Sequence, residues 1–263
     1  MSRDARWSAL LELVGRHGRV DVEDAAKALD VSAATIRRDL DQLAEQQLLT
    51  RTRGGAVAHG VSYELALRHK AGRNAPEKQA IGRAVADLVA AGEVVGLTGG
   101  TTVTEVARSL AVRPDLADDG RAGQPALTVV TNALNIANEL AIRPQFKLVV
   151  TGGVARPQSY ELTGPLAAGV LGEITLDVAV LGVNAIDTGR GAYVHHEGEA
   201  GVNRLLARQA QRVVVAADSS KIGRRAFARV CDLSLVDFLV TDRGIDPEAS
   251  ARLAEAGVTV VAV

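Results

Sequence analysis

Seven short runs rich in β-branched residues, "EVVGL", "LTVVT", "FKLVV", "DVAVLG", "VVVAA", "DFLVT" and "VTVVAV", alternate with amphipathic helical stretches from Glu77 onward. This rhythm constrains the fold more than any other property of the chain. Strands separated by helices cannot be joined as tight hairpins, so they imply βα units and a mainly parallel sheet with both faces covered. Between the first two runs, "VRPDLADDGRAGQPA" (residues 112–126) is rich in Pro, Gly and Asp and is expected to be an exposed, mobile loop.

Polar residues or glycines follow several of these runs. Gly99, Gly100, Thr101 and Thr102 lie between a strand and a helix, Asn132 follows "LTVVT", Gly152 and Gly153 follow "FKLVV", Asn184 follows "DVAVLG", and Asp218, Ser220 and Lys221 follow "VVVAA". In a parallel sheet these carboxyl ends share one edge, where ligands bind. Two glycines before a helix let a ligand approach the backbone, and the helix N-terminus offers free N–H groups that suit a phosphate. A glycine turn before a helix also occurs without any ligand. Only the recurrence along one edge favours a site.

The first 57 residues follow a different pattern. Trp7, Leu10, Leu11 and Val14 form an apolar stripe ending near Gly15, Asp21 can cap a second short helix, and Ser32 can cap a third in "VSAATIRRDL". Ile36, Leu40 and Leu43 share one stripe of that third helix, while Thr35, Arg37 and Arg38 project elsewhere. After it, "LLTRTRGGAV" alternates and then turns at Gly54-Gly55, as a β-wing does. Residues 58–75 show no sustained period and are expected to link this part, 1–57, to the second, 76–263.

Charge bounds the partners. The 263 residues carry a formal net charge of −1, and residues 1–57 hold nine basic and nine acidic side chains, so the chain has no global nucleic-acid signature. Arg37, Arg38, Arg51 and Arg53 can nevertheless converge if the wing folds beside the third helix. Arginine can bond guanine through two donors, and Ala33 and Thr35 near the helix start can touch a thymine methyl or a phosphate. Ser32, Ala33, Thr35, Arg37, Arg38, Arg51 and Arg53 are therefore the candidate DNA-facing residues. A single cysteine, Cys231, excludes an internal disulfide and is expected in the core. No membrane-spanning run or secretory signal is evident, so a cytoplasmic protein is expected. His195, His196, Glu197 and Glu199 in "VHHEGEA" fit no standard zinc spacing, so neither metal nor cofactor is expected.

Over residues 3–57, and above all in "VSAATIRRDLDQLAEQQLLTRTRGGA", the chain resembles the N-terminal winged helix-turn-helix of the DeoR family of bacterial transcriptional regulators. The resemblance assigns the helix bearing Thr35 to Asp39 to the major groove. Residues 77–263 resemble the sensor domain of the same family. That resemblance implies the fold of ribose-5-phosphate isomerase and glucosamine-6-phosphate deaminase, and a phosphorylated sugar or amino sugar as effector. "LGVNAID", "HHEGEAGVNRLL" and "ADSSK" look most like the branch regulating N-acetylgalactosamine and galactosamine use. The chain departs from the family at Thr98, where an acidic residue is common, and at Asn184, often Asp. Glu199 is placed by the reading of its loop at sugar hydroxyls or an amine. The expected protein is a homo-oligomeric repressor, without enzymatic activity, that leaves operator DNA when a sugar phosphate binds. The alternative is a sugar-phosphate isomerase or deaminase carrying a helical N-terminal extension, which would need a general base such as Asp218 or Glu199.

Overall fold

The structure, a computed structural model, describes residues 3–17, 19–45, 49–58, 74–117, 124–157 and 159–263. It divides into two compact units, the second starting at Asn74. Residues 59–73 of the expected linker lie outside the described residues.

In the first unit α1 (Arg3–His17), β1 (Arg19–Asp21), α2 (Val22–Leu29) and α3 (Ala33–Glu45) precede a hairpin of β2 (Leu49–Thr52) and β3 (Gly55–Ala58). The hairpin recruits β1, giving a three-stranded antiparallel sheet in the order β1-β3-β2. Sequence reasoning did not find β1, because three residues are too few to show a period. Side chains meet as the helical stripes require: Leu10 and Val14 of α1, Val22 and Ala25 of α2, and Ile36, Leu40 and Leu43 of α3 close one core with Leu49 and Ala56 of the wing. Local polar groups fix the helix starts. The Asp21 carboxylate accepts the Glu23 N–H at 2.9 Å, and the Ser32 hydroxyl accepts the Thr35 N–H at 3.1 Å.

The second unit begins with α4 (Ala75–Asp87), then β4 (Val94–Leu97), α5 (Thr101–Ala111), β5 (Leu127–Thr131), α6 (Leu134–Leu140) and β6 (Phe146–Val150). A two-stranded antiparallel arm follows, β7 (Val154–Arg156) with β8 (Glu161–Thr163), and then α7 (Pro165–Gly172) and β9 (Leu176–Gly182). The rest comprises β10 (Ala185–Asp187), β11 (Gly191–Val194), α8 (Glu197–Gln209), β12 (Ala210–Ala216), β13 (Ala228–Cys231), β14 (Phe238–Thr241), α9 (Pro247–Glu255) and β15 (Thr259–Ala262). The seven runs singled out above are the seven strands of one sheet, ordered β15-β14-β12-β9-β4-β5-β6, with every neighbouring pair parallel.

Alternation along β9 shows how the layers form. Val178 and Val180 enter a core with α4, α5 and α6, whereas Ala179 and Leu181 enter a second core with α7, α8 and α9. Helices thus cover both faces, and the strands are apolar on both sides, as parallel sheets require. One expectation needs correction. Within residues 112–126, Pro114–Leu116 forms a turn of 3₁₀ helix and the Leu116 side chain is fully buried, because the loop contributes an apolar plug to the first core; residues 118–123 lie outside the described residues. Cys231 is in the second core, where burial pushes its thiol up to about 11.

Candidate nucleic-acid interface and ligand site

On α3 the buried stripe of Ile36, Leu40 and Leu43 leaves Arg37 and Arg38 exposed. Arg37 lies 3.3 Å from the equally exposed Glu23, while Arg38 and the wing-tip Arg53 have no ion-pair partner among the described residues. Ser32 and Ala34 are exposed at the helix start and Ala33 and Thr35 half-buried; the Ser32 and Thr35 hydroxyls bond each other at 2.8 Å. Arg51 differs from its neighbours. Its Nε donates to Asp41 on α3 at 2.6 Å and its Nη1 donates to the Gly55 carbonyl, so its guanidinium fixes the wing to the helix.

Asp39 faces the other way. Its side chain is only 4% exposed and accepts hydrogen bonds from two groups of Arg6, including Nη2 at 3.1 Å, and from the Trp7 indole at 2.9 Å. Burial pushes its carboxyl up, but the bonds from Arg6 and Trp7 and the charge of Arg6 outweigh this and hold it below its ordinary value. The arginine it holds is thus on α1, and not one of its neighbours on α3.

In the second unit the expected ligand residues lie at the carboxyl ends of β4, β5, β6, β9 and β12, which are adjacent strands. They cannot all touch one sugar phosphate. Gly152 after β6 and Lys221 after β12 are separated by four strand spacings, about 19 Å. Open ground lies at the start of α5. Gly100, its N-cap, has φ +109°, no side chain caps the helix, and a Cβ built on Gly100 or on Gly152 would meet nothing within 4 Å. Thr101 is half-buried and Thr102 buried beside the free N–H groups of the first turn. Thr98, the departure from the family, is wholly buried: its hydroxyl accepts the Gly182 N–H at 2.8 Å and stitches β4 to β9.

Gly99 has an occupant that sequence reasoning missed. Its N–H donates to Glu161 Oε1 at 3.0 Å, and a Cβ on Gly99 would lie 2.3 Å from Glu161 Cγ. The lack of a side chain at Gly99 is thus explained by the chain's own carboxylate. Asn132 Nδ2 also reaches Glu161 Oε1, at 3.4 Å, while its buried Oδ1 has no partner among the described residues. Glu199 on α8 adjoins Glu161 and accepts from Arg156 Nη1 at 2.8 Å. Burial first, and the charge of Glu199 second, push the Glu161 carboxyl up to about 7, against the pull of Gly99 and Asn132. Nothing in "RPQSYELTG" announces this placement, since it depends on the arm folding back beside Asn132, where the Leu162 N–H donates to the Asn132 carbonyl at 2.7 Å.

Other expected ligand residues are engaged within the fold. Asp218 is buried and accepts from Ser220, by both its N–H and its hydroxyl, and from Asn74 Nδ2 at 3.2 Å. Asn184 Oδ1 accepts the His195 N–H at 2.9 Å, and Gly153 lets β8 approach, since a Cβ there would be 2.7 Å from the Thr163 carbonyl oxygen. His196 Nδ1 accepts the Gly198 N–H at 3.2 Å at the start of α8. Lys221 is half-buried; its N–H donates to the Asp218 carbonyl at 3.0 Å, and its side chain has neither hydrogen bond nor ion pair among the described residues.

A winged helix-turn-helix unit followed by a doubly covered parallel α/β unit with an open sheet edge defines a two-part regulator. The chain belongs to the DeoR family: residues 6–60 match the DeoR-like helix-turn-helix domain and residues 73–243 the DeoR C terminal sensor domain. It is 33% identical to a putative aga operon transcriptional repressor of Escherichia coli O157:H7, over 98% of this chain and 93% of that one. It is 30% identical to the glycerol-3-phosphate regulon repressor of Escherichia coli K12, over 92% of each. Among solved structures it is similar to ribose 5-phosphate isomerase A from Methanocaldococcus jannaschii, at 19% identity over 57% of this chain and 55% of that one, with a TM-score of 0.40. No helix among the described residues is long and apolar enough to cross a membrane.

Proposed function

We propose that this protein is a cytoplasmic transcriptional repressor of a carbohydrate-utilisation operon, and that a phosphorylated sugar or amino sugar releases it from operator DNA. Residues 1–57 hold the DNA, 58–75 connect, and 76–263 bind the effector. The observation that carries the reading is the coexistence, in one chain, of an exposed-arginine helix over a closed core and an uncapped, open helix N-terminus at the edge of a parallel sheet. Arg38, Arg53 and Arg37 meet the duplex, with Ser32, Ala33 and Thr35 at the helix start, while Arg51 positions the wing. The effector phosphate lies at Gly100 to Thr102, with Lys221 supplying a cation from β12 and Glu199 accepting from the sugar. The repressors named above support this reading.

The Asn74 to Asp218 bond gives the effector a route to the DNA-binding unit. Asn74 is the first residue of the sensor unit, its side chain does not cap α4, and it is bonded instead to the residue that caps the Ser219–Lys221 turn. A ligand that pulls on that turn pulls on the end of the connector. One DNA-binding unit with few free arginines gives little affinity alone, so the active form is a homo-oligomer that engages two half-sites.

Fluorescence anisotropy of the full chain on DNA from upstream of its own gene tests this, with phosphorylated hexoses and hexosamines added against their unphosphorylated parents. Only phosphorylated sugars should release the DNA. Lys221→Ala should raise the concentration required without changing DNA affinity in its absence. The competing enzymatic reading draws on Glu161, since a carboxyl pushed up to about 7 suits a general base. Turnover of the releasing sugar by the purified protein would favour that reading instead.

A further inference from the structure

Two carboxyl groups gather beside Gly99. Glu161, Glu199 and the unpartnered Asn132 Oδ1 converge there, while the Gly99 N–H, Asn132 Nδ2 and Arg156 supply the hydrogen bonds. Among the charged groups, Arg156 on β7 answers Glu199 on α8, and the Glu161 carboxylate on β8 is left with uncharged donors. Glu161 also cannot easily leave, because the backbone on both sides of it is bonded: the Tyr160 carbonyl accepts the Leu134 N–H at 2.9 Å and the Leu162 N–H bonds Asn132. One residue beyond Gly99, the chain enters the open N-terminus of α5.

We propose that Glu161 is a specificity-determining residue of the ligand site, an internal anion beside the α5 N-terminus that makes the protein take up an effector phosphate together with one proton. The proposal rests on the placement of the phosphate at Gly100 to Thr102 given above. A phosphate there and an ionised Glu161 repel, and the low-dielectric surroundings that burial provides make the repulsion strong. A proton from solvent, bound to a carboxylate oxygen of Glu161, removes one negative charge and supplies a further donor. No bond other than this O–H forms or breaks. Burial already pushes the Glu161 carboxyl up to about 7 in the free protein, so the uptake falls within an accessible range. The site then favours anionic ligands as pH falls and discriminates against them as it rises.

Inorganic sulfate tests this on the full chain at constant ionic strength, since its own charge does not change across the range. Its affinity should rise by up to tenfold for each pH unit lowered from about 9 to about 7 and level off below. Glu161→Gln should bind sulfate with little pH dependence, near the affinity the parent protein reaches at low pH. Calorimetry of the parent protein at about pH 8, in buffers of different ionisation heat, should show close to one proton taken up per site, a readout that needs no variant. Equal pH slopes in parent and Glu161→Gln, or no proton uptake, would overturn the proposal. The placement beneath it is tested separately by Gly100→Val. If that change leaves sulfate binding intact, or if sulfate binds at no pH, the phosphate site and the proposal fall together; if it abolishes binding while proton uptake in the parent is nil, the proposal alone fails.

Discussion

Gly99→Ala isolates the contact between Gly99 and Glu161 that borders the proposed ligand site. Gly99 does not have a left-handed φ, so alanine fits its backbone, and any penalty must come from the new Cβ. That atom would lie 2.3 Å from Glu161 Cγ, 2.5 Å from Cδ and 2.9 Å from Oε1. The obstacle is the middle of a buried side chain, not a flexible tip. Forcing the two together costs about 1–3 kcal/mol of overpacking. Moving Glu161 away instead forfeits a hydrogen bond to a charged group worth about 1.5–3 kcal/mol. The chain takes the cheaper course, and alanine returns about 0.4–1 kcal/mol by restricting the unfolded state, so a net loss of about 1–2 kcal/mol is expected. In a Glu161→Ala background these contacts are gone and the same change should stabilise by about 0.4–1 kcal/mol, reversing its sign. The assay is denaturant unfolding of the four proteins in the cycle, followed by circular dichroism. Trp7, the single tryptophan, reports the first unit separately by fluorescence, so the sensor transition can be identified. An equal effect of Gly99→Ala in both backgrounds would refute the Gly99 to Glu161 contact.

Three further substitutions address the first unit. Because the folded pKa of Asp39 is depressed, its contribution to stability is full above the unfolded value of about 3.9 and is lost as pH falls through the folded value; Asp39→Asn should flatten the acid limb of the Trp7 fluorescence transition and cost about 2 kcal/mol at neutral pH, and an unchanged transition would deny the contact with Arg6 and Trp7. Arg38→Ala should weaken operator binding by about 1–3 kcal/mol with no change in unfolding, whereas Arg51→Ala should lower the stability of the unit and weaken binding to all sequences alike; anisotropy alongside melting separates the two, and the opposite pattern would exchange their roles.

How much of this was legible in the sequence follows from what each signal measures. The seven strands were readable because a strand buried on both faces must be a short apolar run, whatever its neighbours. The apolar stripes of α2 and α3 were readable because helical spacing alone fixes which residues meet. Neither the arm of β7 and β8 nor β1 could be read, since three-residue strands exist only through their partners. Arg51 and Arg53 show the same limit at the level of single side chains. They share one pattern in "TRTRGG", yet Asp41 takes the first and leaves the second exposed.

Polar residues after strand ends are ambiguous for a reason internal to protein folding. The chain leaving a parallel strand carries N–H and C=O groups that the ladder no longer pairs, and these must be satisfied whether or not a ligand comes. Asp218 capping its own turn, Asn184 holding the His195 N–H and Thr98 joining β4 to β9 are answers to that demand. Their residue types are those of a sugar-binding loop because both tasks need short side chains with several acceptors. What separates the tasks is satisfaction. A residue whose groups are paired in the absence of ligand closes the fold; one that stays open or unpaired has something left to offer. By that criterion the proposed site contracts from five loops to Gly100, Thr101, Thr102, Lys221 and the Asn132 amide oxygen, with Glu161 and Glu199 as the carboxylates that a phosphate there must accommodate. On the reading proposed above, effector choice depends less on the polar residues that follow the strands than on an acid that enters the edge from the β7–β8 arm.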